Sequence, residues 1–151
     1  MFTGDNSGNW LFRALHKAGF ANQAASRDRH DGLEIRDCYI TAAIRCAPPG
    51  NKPLSQELAR CRGYLLNEID LLRNVRVVVG LGRVGFETAL ESYREAGRIT
   101  YARRPRFAHG TSVVLGDLTF IASFHPSQQN TFTGRLTEPM FDGVFAEVRR
   151  I

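Results

Sequence analysis

Ala122-Ser123-Phe124-His125-Pro126-Ser127-Gln128-Gln129-Asn130-Thr131-Phe132-Thr133-Gly134-Arg135-Leu136-Thr137 is the stretch from which the rest of the chain is best read. The apolar run Leu118 to Phe124 has the composition of a buried strand, and it leads into a His-Pro-Ser turn. A polar loop with two glutamines, an asparagine, a glycine and an arginine follows, and Thr137 is placed to cap a helix with Pro139 in its first turn. Open α/β sheets bind their ligands beyond the carboxyl ends of strands. From the residues alone, this is a strand end carrying a binding or catalytic site.

Working outward, the pattern alternates. Upstream of the run, Ser112 to Leu115 is a second strand candidate, joined to it by a tight turn at Gly116-Asp117. Val75 to Val79 reads as a buried strand, and Gly80-Leu81-Gly82-Arg83-Val84-Gly85 turns it into a helix reaching about Ala96. Before that strand, Leu58, Cys61, Leu65, Ile69 and Leu72 recur every three or four residues, which predicts a helix from Gln56 to Leu72 capped by Ser55. Cys38 to Ile44 is a short apolar run suited to another buried strand. The three prolines and one glycine of Arg45 to Pro53 stop regular structure after it. A first helix is expected over Asn9 to Ala18, capped by Ser7 or Asn6, with Asn22 to Gly32 an exposed loop. Met140, Phe141, Val144, Phe145 and Val148 give the last helix a buried stripe. Alternating strands and helices predict an α/β fold in one domain, residues 1–151, with a mainly parallel sheet.

The length of 151 residues suits one domain with a real core. No apolar run approaches membrane-spanning length and the start lacks the makings of a signal peptide, so the expected location is the cytoplasm. The net charge of +5 comes mainly from arginine, which suits a polyanionic partner such as nucleic acid. Three cysteines in that setting argue against a disulfide framework.

Two constellations admit rival readings. Gly80 to Gly85 matches the G-x-G-x-x-G dinucleotide fingerprint in its proper context, between a strand and a helix. The acidic residue expected about twenty positions on is absent, and Arg103 and Arg104 stand there instead, so only an NADP-type oxidoreductase remains open. The alternative is a tight turn whose glycines permit close packing. Cys61 lies on the inward face of its helix, where a core cysteine and a metal ligand both fit, and with Cys46 alone it cannot complete a four-ligand site.

The opening stretch resembles the second conserved motif of the uracil-DNA glycosylase superfamily. As His-Pro-Ser-x-x-Asn-x-x-Thr-Gly-Arg-Leu-Thr it is similar to family 5, the B-type bacterial and archaeal enzymes. Two further blocks agree in family order: Phe2-Thr3-Gly4-Asp5-Asn6-Ser7-Gly8 and Cys46-Ala47-Pro48-Pro49-Gly50-Asn51-Lys52-Pro53. The resemblance implies a three-layer α/β/α sandwich and hydrolysis of the N-glycosidic bond of uracil, or a related deaminated base, in DNA. It implies His125 and Asn130 as donors to the departing base and Asp5 as the group that orients the attacking water, beside a capping role for Asp5. Phe2 is the implied stacking partner of the flipped base, beside a frayed terminal residue. Ser127, Gln128, Gln129, Thr133, Gly134 and Arg135 are the implied DNA contacts, with Lys52, Arg98, Arg103, Arg104 and Arg106 adding phosphate contacts.

The same resemblance implies Cys46 and Cys61 as two of four ligands to a 4Fe–4S cluster, the other two belonging to an N-terminal segment in the family. This chain opens inside the Phe-Thr-Gly-Asp string. The expectation is therefore a truncated form, or one whose true start lies upstream, lacking the family's first motif and the central strand that carries it. A non-catalytic DNA-binding remnant is the alternative to the enzyme.

Overall fold

The structure, a computed structural model, describes residues 5–45 and 54–151. Phe2, Cys46 and Lys52 lie outside the described residues. The order of elements is α1 (Asn6–Lys17), α2 (Ser55–Leu71), β1 (Val77–Leu81), α3 (Gly82–Glu95), β2 (Ser112–Leu115), β3 (Leu118–Ser123), α4 (Gln128–Phe132) and α5 (Glu138–Arg150). A small sheet flanked by helices makes the protein mixed α/β, the class its alternating pattern implies.

The chain forms two compact units, Thr41–Ala122 and the pair of segments Met1–Ile40 and Ser123–Ile151. In the Thr41–Ala122 unit the strand order is β1-β3-β2. Strand β3 is central and buried along its whole length, which is why it reads as a nearly continuous apolar run. Its pairing with β2 is antiparallel, Ser112 opposite Ile121 and Leu115 opposite Leu118, and Gly116 takes the positive φ of 62° that the connecting turn requires. The core of this unit is Leu65 and Ile69 from α2, Phe86, Leu90 and Tyr93 from α3, and Phe120 from β3. Tyr93 meets Phe120 edge-on at 5.4 Å.

The other unit is helical. Its core comprises Leu11, Phe12 and Leu15 of α1 with Leu136, Phe141, Val144 and Phe145. Arg13 bridges α1 to α5, with Nη1 2.5 Å from Glu138 Oε2 and Nη2 3.0 Å from Asp142 Oδ1, while its guanidinium lies over the Trp10 ring. Lys17 Nζ adds a 2.7 Å pair with Asp142.

Three local expectations need correction. Cys38 to Ile44 is not a strand: Tyr39 is 56% exposed, and the segment enters no ladder among the described residues. Side chains hold its end instead, since the Thr41 hydroxyl donates to Glu68 Oε2 at 2.5 Å and the Arg45 guanidinium pairs with the same carboxylate. Asp5, rather than Asn6 or Ser7, caps α1, its Oδ1 accepting the Gly8 N–H at 2.6 Å. Leu54 occupies the N-cap of α2 and Ser55 is its first residue; the backbone N–H of Leu54 donates to Glu57 Oε2 at 2.8 Å.

Candidate active site

Ser123, the last residue of β3, leads into Phe124, His125 and a completely buried Pro126. The expected polar loop then winds into the short helix α4, with Ser127 as its N-cap residue. The Ser127 carbonyl accepts the N–H groups of Asn130 and Thr131, both at 3.0 Å. Asn130 turns inward, and its Nδ2 donates to the backbone carbonyl of His125 at 2.8 Å. Its own carbonyl accepts from Leu136 N at 3.0 Å, and buried Leu136 anchors the exit from the loop. Asn6, at the start of α1, donates from Nδ2 to Thr131 Oγ1 at 3.4 Å. The start of α1 and α4 are thereby tied together beside His125.

His125 is half-buried, and burial lowers its imidazole from the ordinary value of 6.5. The Asp5 carboxylate opposes that effect without cancelling it. Near pH 7 the ring is therefore neutral, with one N–H to donate and one nitrogen to accept. Asp5 is exposed, and capping occupies one of its oxygens. An exposed carboxylate whose charge reaches a half-buried imidazole places an acceptor and a donor of different character in one loop region.

The remaining loop residues are mostly at the surface. Gln128, Gln129, Thr133, Gly134 and Arg135 are exposed and Ser127 is partly so. Thr133 Oγ1 donates to the Gln129 carbonyl at 2.6 Å, closing the end of α4, and Gly134 reverses the chain at φ 70°. The Arg135 guanidinium lies 4.7 Å from the centroid of the Phe124 ring. Phe132 was not singled out from the sequence, although it is 78% exposed on the same short helix.

The basic stretch divides. Arg98 spans the end of α2, donating to the carbonyls of Ile69 at 3.3 Å and Arg73 at 3.5 Å. Arg104 pairs with Glu87 at 3.2 Å and Glu91 at 3.1 Å, while Arg103 and Arg106 are exposed.

Cys61 is buried, and its Sγ accepts the backbone N–H of Arg45 at 3.5 Å. Among the described residues no three His, Cys, Asp or Glu side chains are grouped as a metal site would group them. No helix among them is long and apolar enough to cross a membrane.

The Gly80 to Gly85 turn is explained by packing. A Cβ on Gly80 would stand 2.4 Å from the Phe86 Cα, and Gly82 has φ 80°. Arg104, a candidate for holding a 2′-phosphate, is already committed to two carboxylates on α3. The dinucleotide reading has no support here.

Comparison with known proteins gives the family. The family described as the uracil DNA glycosylase superfamily matches residues 1–149. The chain is 42% identical over 153 residues to the type-5 uracil-DNA glycosylase of Mycobacterium bovis, covering 100% of this chain and 56% of that protein. With the type-5 uracil-DNA glycosylase of Thermus thermophilus the identity is 42% over 151 residues, 99% of this chain and 66% of the relative. The type-4 uracil-DNA glycosylase of Thermotoga maritima is 32% identical over 101 residues, 66% of this chain and 48% of that protein. The chain thus spans little more than half the length of the first of these relatives. By the extent of the family match and its identity with the type-5 enzymes, the chain belongs to the uracil DNA glycosylase superfamily.

Proposed function

We propose that this chain carries the excision site of a DNA repair glycosylase, a hydrolase that removes uracil or a related deaminated base from DNA. The carrying observation is His125, half-buried two residues past the end of the central strand with its carbonyl held by Asn130, in a chain of this family. A base inside a duplex is out of reach, so it must first be turned out of the stack. The C1′–N bond then breaks with its electron pair moving to the base, and water oxygen bonds to C1′. The base departs as an anion that takes a proton from solvent, and the water loses one.

His125 faces the charge that develops on the base, and a neutral N–H in a half-buried position stabilises it at little reorganisation cost. Asn130 has two amide hydrogens, one of which is engaged with the His125 carbonyl. The other is our candidate second donor to the base. Asp5 is our candidate for orienting the water, Phe2 for stacking on the base, and Ser127, Gln128, Gln129, Thr133, Gly134 and Arg135 for gripping DNA. Contacts from Arg103 and Arg106 to phosphates would make binding strongly salt-dependent.

We further read Cys46 and Cys61 as two of the four thiolates of a 4Fe–4S cluster. The fit is partial. The Arg45 N–H on Cys61 Sγ is the kind of hydrogen bond that tunes a cluster thiolate, and it brings the residue before Cys46 to Cys61. Two cysteines cannot hold a cluster alone, and no step above passes through it. In a protein that supplies the other two thiolates, about four irons, lost in Cys61→Ser, would support this reading; equal iron in both proteins would overturn it.

Single-turnover cleavage of a uracil-containing oligonucleotide by the full chain and by His125→Ala tests the main proposal. Loss of one such donor lowers the rate by about 10²–10³. DNA binding without cleavage by the unaltered chain would overturn the enzyme reading, as would cleavage that survives His125→Ala.

A further inference from the structure

We propose that the outer edge of β2 and the basic loop before it form a docking groove for an extended, acidic segment of a partner protein, which adds a strand to the sheet beyond β2.

The strand supplies the backbone. In the order β1-β3-β2, β2 closes one side of the sheet. The Ala122 N–H donates to the Thr111 carbonyl at 2.8 Å, and the pairing continues with Val113 opposite Phe120 and Leu115 opposite Leu118. Backbone groups along an antiparallel strand point alternately to its two sides, so those of Ser112 and Val114 point outward, away from β3. Among the described residues no other backbone bonds to them. Edge strands are ordinarily blunted by charges or prolines of their own. Ser112 to Leu115 has neither, and Val114 is 70% exposed.

The loop supplies the charge. A cleft of about 770 Å³ lies where β2 meets it; Arg103, Arg104, Pro105, Arg106, Val113 and Leu115 contribute to its lining, and no carboxylate does. The loop is braced beneath. Ile99 is buried, Tyr101 and Phe107 pack against the core, and Arg104 is bound by Glu87 and Glu91. Arg103 and Arg106 are exposed and enter no ion pair among the described residues, so the cleft has a positive rim over an apolar wall.

That combination fits a peptide better than a nucleic-acid strand. Alternate N–H and C=O groups along an edge complement another backbone, whereas phosphates only accept. No aromatic ring lines the cleft, and the neighbouring Phe107 is covered by the Arg83 guanidinium at 5.4 Å, so bases have no platform for stacking. Arg103 and Arg106 are also the phosphate candidates named above, so a docked strand and DNA compete for them.

The probe is a fluorescein-labelled hexapeptide of alternating glutamate and valine, titrated with the full chain and followed by anisotropy. The same peptide N-methylated throughout its backbone and a labelled decathymidylate are titrated beside it. The plain peptide is expected to bind. Arg103→Glu with Arg106→Glu should weaken it about tenfold or more, and Val114→Pro, which removes one outward N–H, about threefold to tenfold. N-methylation should abolish most of the binding; because it leaves the protein unaltered, it decides the matter even where Val114→Pro fails to fold. No binding of the plain peptide, or equal binding of the N-methylated one, would overturn the added strand. Decathymidylate that loses as much affinity as the peptide in Val114→Pro would give the groove to nucleic acid and overturn the proposal.

Discussion

Gly80 and Gly85 belong to the same G-x-G-x-x-G string, yet replacing each with alanine should move stability in opposite directions. A Cβ at Gly80 would lie 2.4, 2.6 and 2.7 Å from the Cα, Cβ and N of Phe86, where ordinary contact begins at 3.4 Å. The shortfall is about 1 Å, and the atoms in the way belong to the backbone of α3, so no rotamer change relieves it. Helix α3 must retreat from β1, disturbing a completely buried Phe86 whose ring stands 6.0 Å from that of Phe107. Overpacking of this kind costs about 1–3 kcal/mol, and a backbone clash belongs at the upper end. At roughly 2–4 °C per kcal/mol for a chain of this size, Gly80→Ala should melt about 6–12 °C lower. A Cβ at Gly85 meets its nearest neighbour, the Gly80 carbonyl carbon, at 3.8 Å, and the position is helical. Gly85→Ala should therefore stabilise by about 0.5–1 kcal/mol. Thermal and urea unfolding of both variants measure this, with NADPH fluorescence expected to stay unchanged by every form. A neutral Gly80→Ala beside a destabilised Gly85→Ala, or a nicotinamide signal that either variant abolishes, would refute the packing account.

Two other predictions concern the loop. Burial lowers the folded pKa of His125 below its unfolded 6.5, so above 6.5 its stability contribution is complete. As pH falls through 6.5 the unfolded chain binds a proton that the folded chain resists; urea midpoints should decline, and His125→Gln should flatten that part of the curve, whereas a decline on raising pH would contradict it. Asn130→Ala removes the 2.8 Å bond to the His125 carbonyl and should cost about 1 kcal/mol, or roughly 2–4 °C in melting temperature. Asn130→Asp places an acceptor against a carbonyl and should melt lower still.

The helices and the central strand were legible because their signals are repetitive. Leu65 and Ile69, or Phe141 and Phe145, recur at helical spacing, and the uninterrupted apolar run of β3 fits a strand covered on both faces. Cys38 to Ile44 misleads because an apolar run reports only that burial would be favourable. Whether it enters a sheet depends on a ladder partner, and here Glu68 of α2 holds Thr41 and Arg45 by their side chains. Helix α4 escaped notice because five residues are too few to display a period. The His-Pro-Ser string marked out His125, but the bond from Asn130 to the His125 carbonyl is a fact of the folded turn. Composition cannot reveal which way an asparagine points. The basic stretch from Arg98 to Arg106 shows the converse limit. Equal charges in sequence become a helix-end brace at Arg98, an exposed ion-pair hub at Arg104, and exposed groups at Arg103 and Arg106.

Asp5 carries two demands that substitution can separate. Its Oδ1 caps α1 through Gly8 N at 2.6 Å, and its charge raises the proton affinity of a His125 ring that burial lowers. Asparagine is as good an N-cap as aspartate, so Asp5→Asn should keep α1 intact, while Asp5→Ala should cost about 1 kcal/mol. Both changes remove the charge, so in both the His125 ring should titrate at a lower pH than in the unaltered chain, as followed by its NMR ring-proton shift. Excision then divides the roles. If the carboxylate orients water, both variants lose single-turnover rate by a similar factor despite their different stabilities. A rate that follows stability, retained in Asp5→Asn and reduced only in Asp5→Ala, would leave Asp5 as a cap. The loop would then act through His125 and Asn130 without it.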